Sequence, residues 1–145
     1  MNEVKRISPK EAHEKMGEGY LYVDVRTEEE FAQGHPEGAL NVPIMLAGAM
    51  GMAPNPDFAK VMAGSFATSA KIIVGCKAGG RSMKAAQVLG QQGYTDVLDQ
   101  RAGWDGAKSE FGQIAELGWS GAGLPKGSGA PAGRSYKDLQ KKASP

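Results

Sequence analysis

The 145-residue sequence contains a single cysteine. One cysteine cannot form a disulfide within the chain, and it cannot build a cysteine-rich zinc site. The sequence also lacks any apolar run near the roughly 20 residues that cross a bilayer, and its N-terminus has no apolar stretch of signal-peptide length. We therefore expect a cytoplasmic protein with no membrane partner.

The sequence also lacks an excess of positive or negative charge. The formal net charge is +1, acids and bases are interspersed, and no basic stripe is interleaved with aromatic residues. Such a pattern does not indicate a nucleic-acid partner. The content of 41% hydrophobic and 23% charged residues is typical of a globular protein. This length allows one domain with one core that needs no disulfide or metal.

Short apolar runs alternate with segments that carry helix signals. Ser8 and Thr27 are expected to cap the first two helices, the second of which covers Glu28–Gln33. Buried strands are predicted at Tyr20–Val25, Lys71–Val74 and Tyr94–Leu98, and later helices at about Pro56–Ala63, Ser82–Gly93 and part of Trp104–Leu117. The alternation predicts an α/β fold with a central, mainly parallel sheet and helices on both faces.

The domain is expected to occupy residues 1–125. A Gly- and Pro-rich linker then begins at Lys126, and residues 126–145 as a whole are interpreted as a flexible linker with a basic C-terminal tail. The Met-rich segment Met45–Pro56 shows no clear period and is interpreted as a loop.

Cys76 follows directly on a predicted buried strand, and sites in parallel α/β folds lie at the carboxyl ends of strands. Gly79 and Gly80 let the chain after Cys76 curl so that its N–H groups turn inward. Lys77 and Arg81 add positive charge, and a helix begins behind them. We expect Cys76 to be a thiolate nucleophile in a loop that binds anions. Two reactions suit that loop: attack on a phosphoryl group and attack on a sulfane sulfur.

Several segments together resemble the rhodanese-like domain family. They are Val23–Arg26, Gly34–His35, Gly38–Pro43, the loop Cys76–Ser82, Gly93–Tyr94 and Gly123–Pro125. The resemblance covers roughly residues 7–125 and implies the rhodanese-like fold. It is strongest to single-domain sulfurtransferases of bacteria and plants. Related dual-specificity phosphatases and arsenate reductases have a loop one residue longer than the Cys-x4-Arg spacing found here, so the resemblance favours sulfur transfer.

The implied reaction is an exchange in two steps with no metal or organic cofactor. Cys76 takes the outer sulfur of thiosulfate or a similar small anionic donor, and the resulting persulfide passes its sulfur to cyanide or a thiol. The expected substrate-binding residues are those of the loop: Lys77, Ala78, Gly79, Gly80, Arg81 and Ser82. Asp24 and Arg26 are expected to support the site, chiefly as braces. His35 is interpreted as structural.

Other functions remain open at this point. The protein could be a persulfide carrier that serves a dedicated protein acceptor, or a binding module of the same family without catalytic activity. A phosphatase or an arsenate reductase is the remaining alternative.

Overall fold

The computed structural model describes residues 4–78, 80–108 and 111–143. Five short strands form a sheet in which every neighbouring pair is parallel. In spatial order they are β1 (Lys5–Ile7), β8 (Val97–Gln100), β7 (Ile72–Gly75), β2 (Leu21–Asp24) and β4 (Leu40–Asn41). The parallel register aligns Asp24 with Gly75, so the carboxyl ends of β2 and β7 lie side by side.

The described part of the chain contains five helices that connect or flank these strands: α1 (Pro9–Met16), α2 (Glu28–Gln33), α3 (Phe58–Ser65), α4 (Gly80–Gln91) and α5 (Tyr136–Ala143). The predicted caps of the first two are confirmed. Ser8 Oγ accepts a hydrogen bond from the Glu11 amide at 3.1 Å, and Thr27 Oγ1 accepts one from the Glu30 amide at 3.3 Å. Among the described residues, no helix has the length and apolar character needed to traverse a lipid bilayer.

Buried side chains alternate between the two faces of the sheet, as the pleat of a strand requires. Tyr22 and Ile73 pack on one side in a cluster with Trp119 and with Ala12 of α1. Val23, Ile72 and Val74 pack on the other, against residues of α3, α4 and α5. Each fully buried valine or isoleucine side chain of these strands contributes about 1.5–3 kcal/mol. The predicted parallel α/β sheet with helices on both faces is confirmed.

Two segments differ from their predictions. The Met-rich segment is not a loop but an antiparallel hairpin of β5 (Met45–Gly48) and β6 (Gly51–Pro54). The last predicted helix is replaced by a hairpin of β9 (Gly106–Lys108) and β10 (Ile114–Leu117). Gly106 and Gly112 have φ of +115° and +77°, and a right-handed helix requires negative φ at every residue.

The C-terminal segment also differs from the expected linker and tail. Strand β11 (Lys126–Gly127) pairs with β3 (His35–Pro36), and α5 packs on α3. Tyr136 and Leu139, three positions apart and therefore on one face of α5, are buried in the core. The helices approach so closely that a Cβ at Gly64 would lie 2.6 Å from that of Ala143. The folded unit therefore extends past the predicted boundary at residue 125.

The packing of α5 predicts that truncating its buried Leu139 side chain strongly reduces the stability of the protein. Leu139→Ala should lower the free energy of unfolding by about 2–4 kcal/mol, because it leaves a cavity in the core. Urea unfolding followed by circular dichroism measures the change. The matched control is Lys137→Ala, an exposed position of the same helix, which should change stability by less than about 0.5 kcal/mol. Equal stabilities of the two variants would contradict the packing of this helix against the core.

Candidate functional site

Cys76 follows β7 directly, and its side chain is buried. Its Sγ lies 3.5 Å from Oγ of Ser82, to which the thiol donates. Ser82 is itself buried and is the third residue of α4, so the sulfur lies against the first turn of that helix. The N-terminus of a helix favours a nearby negative charge. When the sulfur is ionised, the Ser82 hydroxyl is positioned to donate to it instead.

Two backbone hydrogen bonds hold the start of the loop. The Trp104 amide donates to the Cys76 carbonyl at 2.8 Å, and the Asp105 amide donates to the Lys77 carbonyl at 2.9 Å. In a trans peptide the C=O and the following N–H point in opposite directions. The amides of Lys77 and Ala78 therefore point away from the segment that contains Trp104 and Asp105. Gly79, which is also expected to bind substrate, lies outside the described residues, and Gly80 is the first residue of α4.

A tight turn after β8 brings the donor segment against the loop. The Gln100 side-chain carbonyl accepts hydrogen bonds from the Ala102 and Gly103 amides, both at 2.9 Å. Gly103 has a φ of +66°, and a Cβ there would lie 2.5 Å from the Cys76 carbonyl oxygen. Only glycine fits this position, because any side chain would push the loop away.

Gly75, the residue before Cys76, also has no room for a side chain. A Cβ at this position would overlap the Tyr22 hydroxyl group, which in turn accepts a hydrogen bond from the Gln100 side chain at 3.2 Å. Burial raises the pKa of Tyr22 well above its usual range, so this hydroxyl stays protonated. The backbone immediately before Cys76 is therefore packed tightly against the Tyr22 side chain.

Arg81 is bound by a carboxylate of the protein. Its guanidinium donates to both oxygens of Glu30 at 2.7 and 2.9 Å, which is a bidentate ion pair. Glu30 also receives hydrogen bonds from the backbone and the hydroxyl of Thr27, both at 3.1 Å, as part of the cap of α2. Burial alone would raise the pKa of Glu30, but the hydrogen bonds from Arg81 and Thr27 outweigh it and lower that pKa to about 2.

Lys77 has a looser partner. Its Nζ lies 3.8 Å from Oδ2 of Asp105, and the two side chains are 59% and 42% exposed. An exposed pair at this distance contributes little energy and opens easily. Lys77 therefore remains available to a ligand, although Asp105 offsets part of its charge.

Asp24 and Arg26 form a buried ion pair at the end of β2. Arg26 donates to both carboxylate oxygens of Asp24, the shortest bond being 2.7 Å, and also to the Gly34 carbonyl. Burial opposes the charge, but the hydrogen bonds to Asp24 and its negative charge hold the pKa of Arg26 above its ordinary value. The guanidinium lies over the Trp104 ring, 5.1 Å from its centroid. Both residues thus lie beside the segment that holds the loop.

Glu30, Trp104 and Asp105, which bind Arg81 or the start of the loop, were not predicted from the sequence. Neither were Gln100 and Gly103, which hold the donor segment. The acidic residues in the first turn of α2 are visible in the sequence, but they predict only a favourable interaction with the helix dipole and not an ion pair with Arg81. Trp104 and Asp105 carried no signal, since their segment was assigned to a helix. The site thus contains a buried sulfur at the N-terminus of α4, two backbone amides that point away from the Trp104–Asp105 segment, and the half-exposed ammonium of Lys77. This arrangement suits a nucleophile that attacks or becomes an anionic group.

The chain is also similar in sequence to a known protein family. The profile of the Rhodanese-like domain matches residues 8–110. Thiosulfate sulfurtransferase 16, chloroplastic, of Arabidopsis thaliana is 49% identical over 98 residues, which are 68% of this chain and 82% of the relative. Rhodanese-like domain-containing protein 15, chloroplastic, of the same plant is 40% identical over 93 residues, or 64% of this chain and 51% of the relative.

Among solved structures, the crystal structure of Rv0390 from M. tuberculosis matches with a TM-score of 0.73 and 26% identity, over 88% of this chain and all of that one. The likeness confirms the fold class expected from the sequence. The expected location in the cytoplasm is contradicted by the names of the two plant relatives, both of which are described as chloroplastic.

The Arg81–Glu30 pair predicts a measurable pH dependence. Glu30 is ionised in the folded protein down to a pKa of about 2, against 4.5 as its ordinary value, so its pair stabilises the fold above about pH 4.5 and is lost as the pH falls towards 2. Glu30→Gln should therefore lose less stability between pH 5 and pH 3 than the wild type, as measured by urea unfolding. Glu29→Gln, which removes an exposed carboxylate of the same helix, should follow the wild type. An unchanged slope in Glu30→Gln would refute the pairing.

Proposed function

This chain belongs to the rhodanese-like domain family, and from that premise we propose that it is a sulfurtransferase that carries sulfane sulfur as a persulfide on Cys76. The proposed donor is thiosulfate or a similar small anion, and the acceptor is cyanide or a thiol. The observation that carries the proposal is the position of the Cys76 sulfur, 3.5 Å from Ser82 in the first turn of α4. The relatives named thiosulfate sulfurtransferase support the same reaction class.

In the first step the ionised Cys76 sulfur attacks the outer sulfur of thiosulfate. A bond forms between the two sulfurs, the S–S bond of thiosulfate breaks, and sulfite leaves with the electron pair. Charge is conserved, because a thiolate and a dianion become a persulfide anion and the sulfite dianion. The terminal sulfur of the persulfide now bears the negative charge.

In the second step cyanide or a thiolate attacks that terminal sulfur, and Cys76 leaves as the thiolate. Between the steps the backbone amides of the loop and the N-terminus of α4 hold the charged sulfur, as an oxyanion hole holds oxygen. The Lys77 and Ala78 amides support this assignment, since the carbonyls of Cys76 and Lys77 are bound by Trp104 and Asp105 and these two amides point away from that segment. A covalent intermediate predicts ping-pong kinetics.

The cations of the loop have separate proposed roles. Arg81 is held by Glu30, so it acts mainly by positioning α4 and adds only part of its charge to the site. Lys77, at the rim and half-exposed, is the cation proposed to meet the sulfonate oxygens of the donor. Asp24 and Arg26 are proposed as braces of the strand end beside Cys76.

The persulfide is directly testable by intact-mass spectrometry. Reduced wild-type protein treated with thiosulfate should gain the mass of one sulfur atom, and cyanide or dithiothreitol should remove it. Cys76→Ser should gain nothing, because the chain has no other cysteine. Wild-type protein that never shows the adduct would rule out thiosulfate as a donor. A phosphatase would instead hydrolyse a phosphate ester without any sulfur adduct.

Replacing the rim cation should weaken donor binding. Lys77→Ala is expected to raise the KM for thiosulfate about twofold to fivefold with little change in kcat, since an exposed ion pair contributes about 0.2–1 kcal/mol. Steady-state kinetics with cyanide as acceptor measure both constants. Lys84→Ala, which removes an exposed lysine of α4, serves as the matched control and should keep the wild-type KM. An unaltered KM in Lys77→Ala would remove this residue from donor binding.

A further inference from the structure

A cleft of about 350 Å³ opens beside the loop. Its lining residues are Arg26, Glu30, Gln33, Lys77, Trp104 and Asp105. Two of these lining residues are joined directly to Cys76: Lys77 follows it in the chain, and the Trp104 amide donates a hydrogen bond to its carbonyl. Its volume is in the range of sites for small molecules.

The four charged residues of this cleft are not equally available. Arg26 is bound to Asp24, and Glu30 is bound to Arg81, both through short hydrogen bonds. Lys77 and Asp105 stand 3.8 Å apart, beyond the 2.7–2.9 Å of a charge-assisted hydrogen bond. Both are about half-exposed, so an ammonium and a carboxylate lie side by side with most of their hydrogen-bonding capacity facing solvent.

A neighbouring positive and negative group is complemented by a ligand that carries the same two charges in reverse. An α-amino acid has this arrangement, because its carboxylate and ammonium are attached to one carbon. A dianion such as thiosulfate would be attracted by Lys77 and repelled by Asp105. The cleft is therefore better matched to a zwitterion than to a small anion.

We propose that this cleft binds the sulfur acceptor, and that the acceptor is a thiol with an amino-acid group. The carboxylate of the acceptor pairs with Lys77, its ammonium pairs with Asp105, and its carbon chain lies against Trp104. The inference rests on the proposed function, since it needs sulfur on Cys76. The acceptor thiolate attacks the terminal sulfur of the persulfide, a new S–S bond forms, the old one breaks, and Cys76 departs with the electron pair. The proton of the acceptor thiol passes to water.

The test uses protein loaded with sulfur, freed of donor and checked by intact mass. Four thiols then unload it in single-turnover experiments: L-cysteine, cysteamine, 3-mercaptopropionate and 2-mercaptoethanol. Cysteamine lacks the carboxylate, 3-mercaptopropionate lacks the ammonium, and 2-mercaptoethanol lacks both. With concentrations expressed as thiolate, L-cysteine should show a half-saturating concentration about threefold to tenfold lower than that of 2-mercaptoethanol, from two exposed ion pairs. It should be about twofold to fivefold lower than those of cysteamine and 3-mercaptopropionate, each of which lacks one pair. γ-Glutamylcysteine, with the same group further from its thiol, distinguishes a peptide acceptor from a free amino acid.

Charge variants assign the two contacts. Asp105→Asn should abolish the advantage of L-cysteine over 3-mercaptopropionate, and Lys77→Gln should abolish its advantage over cysteamine. Lys84→Gln, outside the cleft, is the matched control and should preserve both advantages. Equal half-saturating concentrations for the four thiols, or an advantage that survives in Asp105→Asn, would overturn the proposal.

A second readout separates this proposal from the persulfide reaction. L-Serine, which has a hydroxyl in place of the thiol, should bind the unloaded protein and shift the indole signal of Trp104 in NMR titrations. The fully buried Trp119 provides an internal reference. If the signal shifts but no persulfide forms, the cleft stands as an amino-acid site and the proposed function fails. If the persulfide forms and L-serine produces no shift, the acceptor site is refuted alone.

Discussion

The geometry of the site depends on two backbone hydrogen bonds, from Trp104 to the Cys76 carbonyl and from Asp105 to the Lys77 carbonyl. They occupy the carbonyls at the start of the loop, so no carbonyl dipole there opposes an anion on the sulfur. The neighbouring amides are left to point the other way. The donor segment is in turn held by the turn at Gly103, where glycine is required by both φ and space.

Ion pairs then join this loop to the elements around it. The Glu30 carboxylate accepts hydrogen bonds from the Thr27 amide in the cap of α2 and from Arg81 of α4, so one carboxylate links the two helices. A bidentate ion pair fixes the relative orientation of its two side chains as well as their distance. The same holds for Asp24 with Arg26. Asn41 ties that strand end further, since its side chain donates to the carbonyls of both residues at 3.0 Å.

Features encoded by neighbours in the sequence were predictable, and those made by distant residues were not. The caps at Ser8 and Thr27, the buried strands and the place of Cys76 after β7 all follow from local patterns. The Arg81–Glu30 pair joins residues 51 positions apart, and nothing local distinguishes Glu30 from the other acids of its helix. The lysine-rich composition of α5 concealed its narrow apolar face, because two buried side chains suffice to dock a two-turn helix.

The arrangement of charge also bears on how one sulfur atom could meet two unlike partners in turn. A ping-pong reaction needs the same cysteine to face an anionic donor and then a different acceptor. Backbone amides would hold a charged sulfur whatever molecule it came from, so the proposed loop site would discriminate little between donors and acceptors. Discrimination would then come from side chains at the rim, and among the lining residues of the cleft the only loosely held charges are Lys77 and Asp105. A donor would use the first of these, whereas a zwitterionic acceptor would use both. The Lys77–Asp105 pair lowers the net positive charge of the site, and the same pair would allow the site to distinguish an anionic donor from a zwitterionic acceptor.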